Sequence, residues 1–192
     1  MEMPFTSYVA LSVTWIRQTG IGNRESGDMR YRKDLLVTDT YFIKGHASSG
    51  GQRLSTFLGN TQKPFLEMDE VTLIKLDRSG SLEIPWLLVR IEDILIAYEI
   101  EETGDEGLKV LAEREADKIR VTAHFFGAAS FQLTGKVRRR ALNTDMAPYH
   151  DFIVMIDPKI HGFDAKADPE FIVLEDLPYV IINRKRVALI LD

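Results

Sequence analysis

The chain contains no cysteine. That absence excludes disulfide scaffolds, thiolate metal sites, cysteine nucleophiles and thiol relays. No apolar run approaches the roughly 20 residues a helical membrane span requires. The opening residues, Met1-Glu2-Met3-Pro4-Phe5, lack the basic segment and apolar core of a secretory signal. A cytoplasmic protein with no membrane partner is the expectation. Several catalytic signatures are missing as well. There is no Gly-Lys-Ser/Thr of a nucleotide-binding loop, no His-Glu-x-x-His, and no Gly-x-Ser-x-Gly around a nucleophile.

What is present is the composition of an ordinary folded protein. Of 192 residues, 45% are hydrophobic and 28% charged, which excludes disorder over the whole chain. A chain of this length buries roughly 70% of its unfolded surface, enough for one large domain or two small ones.

The formal charge of −5 is unevenly distributed. Residues 1–91 carry a net +1, residues 92–117 a net −8, and residues 118–192 a net +2. Within the acidic segment, Glu101-Glu102-Thr103-Gly104-Asp105-Glu106-Gly107 reads as a linker. Leu108, Leu111 and Ala112 then share one face of a short helix, and a boundary falls near residue 104. Residues 17–33, rich in Gly, Arg and Asn, read as a loop after a first strand or short helix at 7–16.

Elsewhere the periodicity is that of β-structure. Ile94, Ile96, Tyr98 and Ile100 alternate with Leu95, Ala97 and Glu99, as Val121, Ala123 and Phe125 do with Thr122 and His124. The two halves overlay in order. Phe42-Ile43-Lys44-Gly45 falls on Gln132-Leu133-Thr134-Gly135, Phe65-Leu66-Glu67-Met68 on Phe152-Ile153-Val154-Met155, and Leu88-Val89-Arg90-Ile91 on Val180-Ile181-Ile182-Asn183. Duplication of one unit explains the overlay; so does the resemblance of any two runs of β-branched residues.

In each half a strand ends at Gly, a loop follows, then a long apolar strand, another loop, and two strands joined by a very short turn. On Ile43-Lys44-Gly45, Phe65 to Val71 and Val89 to Ile94 the sequence resembles the Sm-like family over about 120 residues. The resemblance implies a mostly β protein of two five-stranded Sm-like barrels in tandem. Its divisions would be an N-terminal extension at 1–34, a first barrel at 35–103, an acidic linker and short helix at 104–117, and a second barrel at 118–192. Arg53-Leu54-Ser55-Thr56-Phe57-Leu58-Gly59-Asn60 is similar to an Arg-Leu-Ser-x-Phe-Leu signature of uncharacterised bacterial proteins, which implies no activity. Sm-like proteins bind RNA through an Asp or His and an Asn before the third strand and through Arg-Gly in the last turn. Asn60 fits the first place, but Glu92 and Asp93 stand near the second, where they would repel phosphate, and Asn183-Arg184-Lys185-Arg186 also lacks the Gly.

Two basic clusters, Arg138-Arg139-Arg140 and Arg184-Lys185-Arg186, would converge at one end of a second barrel and offer a polyanion site. Against this, three consecutive strand residues cannot face one ligand, and only Tyr149 stands near for base stacking. Pairing with the acidic linker is the competing use. His46, His124, His150 and His161 show no metal-ligand spacing. His150-Asp151 with Asp145 reads as a loop around Met146-Ala147-Pro148 before it reads as a base and its orienter. Gly45 to Arg53 reads as a flexible loop, Ser55 as a cap, and Arg53 to Asn60 as a short amphipathic helix with Leu54, Phe57 and Leu58 inward. Pro85-Trp86-Leu87-Leu88-Val89 would be adhesive at a sheet edge, where an unpaired strand is a template for β-addition.

No residue set joins nucleophile, base and orienter. The expectation is therefore a non-catalytic scaffold or regulatory module without cofactor or metal, acting through self-association or a protein partner. Binding of RNA or another polyanion through Arg138 to Arg140 and Arg184 to Arg186 is the alternative.

Overall fold

The fold is that of a computed structural model, which describes residues 34–77, 80–100, 117–125, 131–142, 151–162 and 177–191. The expected N-terminal strand and loop, and the linker and helix within 101–116, lie outside the described residues.

Among the described residues ten strands form in chain order: β1 Asp34–Val37, β2 Tyr41–Ala47, β3 Phe65–Lys75, β4 Ser81–Arg90, β5 Ile96–Glu99, β6 Lys118–Phe125, β7 Gln132–Arg138, β8 Phe152–His161, β9 Tyr179–Asn183 and β10 Val187–Leu191. One helix, α1, spans Leu54–Asn60 and buries Leu54, Phe57 and Leu58, the three residues that helical spacing placed on one face. The strands make a single antiparallel sheet in the order β10-β6-β7-β8-β9-β5-β1-β2-β3-β4.

This corrects the expectation of two closed Sm-like barrels. The protein is mostly β, as expected, but the sheet is open: β5 pairs with β9, and among the described residues β4 and β10 keep one unpaired edge each. The physical reason lies in what periodicity encodes. Alternation fixes which face of a strand is buried and leaves open which neighbour takes its hydrogen-bonding edge. The halves nonetheless curl. Three residues, Arg184–Arg186, carry the chain from β9 to β10, which stand four ladder spacings apart. Four residue steps reach at most about 14 Å, whereas four flat spacings cover about 19 Å.

Both five-strand runs take the same lateral order, fifth-first-second-third-fourth. They also share a bulge. The β2–β3 register shifts between Lys44 and His46, and the β7–β8 register between Thr134 and Lys136. At the shifts, Glu70 and Asp157 each adopt φ of 50°, a left-handed conformation uncommon for residues other than glycine. Gly45 and Gly135 sit opposite them because nothing larger fits. A Cβ on Gly45 would lie 2.9 Å from the Asp69 carbonyl oxygen, and one on Gly135 would lie 2.6 Å from Met155 Cγ and 2.9 Å from the Ile156 oxygen. The ladder also refines the sequence overlay. Phe65 and Phe152 face Arg90 and Asn183, so the matched strand ends are offset one residue from the overlay of Ile91 on Asn183. In a strand one residue exchanges the two faces.

The core has two clusters, one on each face of the central strands. Leu36, Ala97 and Ile181 belong to one, with α1 and the inner residues of β3 and β4. Leu35, Val37, Ile96, Val180 and Ile182 belong to the other, with Val121, Leu133 and Met155. Strands β1, β5 and β9 are thus buried on both sides, which is why they read as near-continuous apolar runs. Among the described residues no helix is long and apolar enough to cross a membrane.

Candidate functional site

The joint between the two five-strand runs is the first feature. Ile96 faces Ile182 and Ala97 faces Ile181, so the fifth strand of one run adds to the fourth strand of the other. Polar contacts of two buried side chains, Glu99 and Asn183, lock it. Glu99, 1% exposed, accepts from the Tyr179 hydroxyl at 3.2 Å and from the Leu54 backbone N–H at the start of α1. Asn183, 2% exposed, donates through Nδ2 to the Ile94 carbonyl at 3.0 Å and accepts the Lys185 N–H at 3.0 Å. Its own N–H donates to the Leu95 carbonyl at 3.1 Å. A buried polar group with its partners in place is costly to disturb.

The free edges are the second feature. β4 carries Leu82 at 57% exposure, and β10 carries Ile190 at 52% and Leu191 at 64%. The adhesive segment seen in the sequence, Pro85 to Val89, lies on β4 and so at an edge. Pro85 itself falls between the pairs Asp69–Trp86 and Val71–Ile84 of an unbroken β3–β4 register, and an edge strand is one of the few places a sheet accepts proline. Position by position, the edges repeat the joint. Leu88 and Val89 face Glu67 and Leu66 on β3 as Ile181 and Ile182 face Val154 and Ile153 on β8. Ala188 and Leu189 face His124 and Ala123 on β6 as Ile96 and Ala97 face Val37 and Leu36 on β1.

The basic clusters have different surroundings. Lys185 pairs with Asp151 at 2.8 Å. Arg186 pairs with Asp39, lies 3.6 Å from Asp93, and donates to the Glu92 carbonyl at 3.2 Å, so this cluster ties the second run to the first. Arg184 contributes its backbone N–H to the Asp151 carbonyl at 2.7 Å. Arg138 ends β7, opposite Lys118. Arg139 and Arg140, in the 3-10 turn Arg139–Leu142, are exposed and line a cavity of about 680 Å³ with Arg120. None of Arg184, Lys185 and Arg186 lines that cavity.

The other sequence candidates are dispersed. His46 lies 3.3 Å from Glu70 at the first bulge, His161 bonds Thr134 at 2.9 Å, and His124 faces Gln132 in the last pair of the β6–β7 ladder. Asp145 and His150 lie outside the described residues. Gly45 to Ala47 extend β2 and are not loop. Among the described residues no three His, Asp or Glu side chains gather as a metal site. Sequence reasoning did not single out Glu99, Asn183 or Arg120. Glu99 had a signal, an acid inside the apolar run Ile94 to Ile100; Asn183 and Arg120 had none, because their partners come from strands far away in the chain. No family model, curated protein or solved structure matches the chain.

Proposed function

We propose that the protein is a non-catalytic scaffold whose copies join edge to edge, β4 of one chain against β10 of the next. The observation that carries this reading is the internal joint: β5 against β9 is already an antiparallel addition of a fifth strand to a fourth, and β10 and β4 are the fifth and fourth strands left over. The shared strand order and matched bulges support reading the two runs as one duplicated unit, so that assembly between chains repeats the contact within a chain. Main-chain hydrogen bonds would supply the affinity and the alternate side chains the register. Transferring the internal register sets Leu189 opposite Leu88 and Ala188 opposite Val89 of a second copy, and brings Ile190 and Leu191 beside Leu87 and Trp86.

The absence of native cysteine makes the register directly testable. In the double variant Leu88→Cys/Leu189→Cys, mild oxidation should yield chain-to-chain disulfides in register, and light scattering of the unmodified protein should give multiples of 21.9 kDa that grow with concentration. A mass that stays at one chain at every concentration, together with no cross-linking, would overturn the reading.

A further inference from the structure

A second surface lies beside the end of the β10 edge and shares Leu191 with it. β10 ends at Leu191, opposite Val121, so residues Lys118 to Arg120 of β6 run past it with no strand on their outer side among the described residues. The 3-10 turn Arg139–Leu142 follows β7 beside this end of β6. Between them opens the cavity of about 680 Å³, within the range of small-ligand sites. Its wall is two kinds of surface. Ile119, Leu142 and Leu191 supply an apolar part, and Arg120, Arg139 and Arg140 a cationic one; among the described residues Asp117 is the acid that lines it. Those three arginines have no ion-pair partner among the described residues, in contrast to Lys185 and Arg186, whose charges are met by Asp151, Asp39 and Asp93.

We propose that this cavity binds a small amphiphilic anion, a phosphate or carboxylate head carried on an aliphatic body. Guanidinium groups hold such heads through paired, charge-assisted hydrogen bonds, and they stay charged at any physiological pH. Exposed arginines alone hold a bare anion weakly, because water and salt compete. The apolar wall is what converts a charge patch into a selective site. Among the described residues no aromatic side chain lines the cavity, so none of them offers the stacking platform on which single-stranded nucleic acid depends, and Leu142 and Leu191 favour an aliphatic body.

The test is a calorimetric titration of the full chain with octyl phosphate and octanoate below their micelle concentrations, with inorganic phosphate, octanol and a single-stranded oligonucleotide as comparisons. Octyl phosphate or octanoate should bind saturably and at least tenfold more tightly than inorganic phosphate or octanol. Affinity should rise roughly two- to fourfold per methylene along a butyl-to-octyl series. The double variant Arg139→Gln/Arg140→Gln, at exposed positions that leave the fold intact by circular dichroism, should weaken octyl phosphate at least tenfold. Leu142→Ser should weaken octyl phosphate and leave inorganic phosphate unchanged. Equal binding of octyl and inorganic phosphate, no effect of the arginine pair, or tighter binding of the oligonucleotide through the same arginines would each overturn the proposal. Leu88→Lys, on the β4 edge opposite Leu189 of a second copy, should leave the titration unchanged, which separates this site from the edge-joining reading.

Discussion

Glu99 accepts the Tyr179 hydroxyl at 3.2 Å across the ladder that joins the two five-strand runs. The same carboxyl group receives the first N–H of α1, so one buried side chain positions a helix of the first run and a strand of the second. The Tyr179 ring also lies 5.2 Å from that of Tyr98, a tilted aromatic contact of the favourable kind. Buried polar contacts thus flank the apolar pairs Ile96–Ile182 and Ala97–Ile181, which specifies one register over a slipped one.

Tyr179→Phe keeps the ring and removes the hydroxyl. It should lower the free energy of unfolding by about 1–3 kcal/mol, read from the midpoint of a urea transition. Glu99→Gln should cost a comparable amount, and the double variant less than the two together, because the residues share one contact. Strict additivity would show that the hydrogen bond contributes nothing to the joint.

Asn183→Leu removes the donor that satisfies the Ile94 carbonyl and the acceptor that holds the Lys185 N–H. A loss of about 2–4 kcal/mol is expected from two orphaned backbone groups, with amide exchange accelerating first at Leu95 and Ile182. Unchanged exchange there would contradict the assignment.

Gly45→Ala and Gly135→Ala should each destabilise by about 1–3 kcal/mol, the usual range for overpacking. Met155 is flexible and can move from a new Cβ at Gly135, but the Ile156 oxygen at 2.9 Å is backbone. Shortening Met155 to Val should therefore not restore Gly135→Ala. Full rescue by that second change, in a thermal melt, would show that the backbone contact is unimportant.

Leu82→Lys and Ile190→Lys place charges on the two exposed edges. Each should leave stability within about 0.5 kcal/mol, as solvent-facing substitutions do; Ile190→Lys, inside the paired span, should lower the mass measured by light scattering to that of one chain, because edge lysines oppose β-addition, whereas Leu82→Lys, beyond it, should not. Loss of stability without loss of association in Ile190→Lys would reverse the proposed role of that residue.

Arg186 and Asp39 are 25% and 32% exposed and bridge sequence-distant turns. A double-mutant cycle of Arg186→Gln and Asp39→Asn should give a coupling of about 0.5–2 kcal/mol, diminishing as salt is raised. A coupling of zero at low salt would remove this pair from the joint.

Much of the secondary structure was legible because its signals are local. Leu54, Phe57 and Leu58 announced α1 by their spacing, Val121, Ala123 and Phe125 announced β6 by alternation, and the adhesive character of Pro85 to Val89 followed from composition. The candidate site was less legible. Arg138 to Arg140 and Arg184 to Arg186 look alike in sequence, yet Lys185 and Arg186 meet acids at the joint while Arg139 and Arg140 line an open cavity with Arg120. Nothing local distinguishes them, since the difference lies in which acids the fold brings near.

The absence of cysteine, the missing catalytic signatures and the two runs of alternating residues were settled by sequence alone, because each depends only on residue identity or on neighbours a few positions apart. Tertiary structure decided that β5 turns its free edge to β9, that Glu99 and Asn183 become the buried locks of that joint, and that β4 and β10 each keep one edge unpaired among the described residues. A strand's side chains declare its faces, but its hydrogen-bonding edges are the same backbone in every strand, and only the packing of the whole chain assigns them a partner.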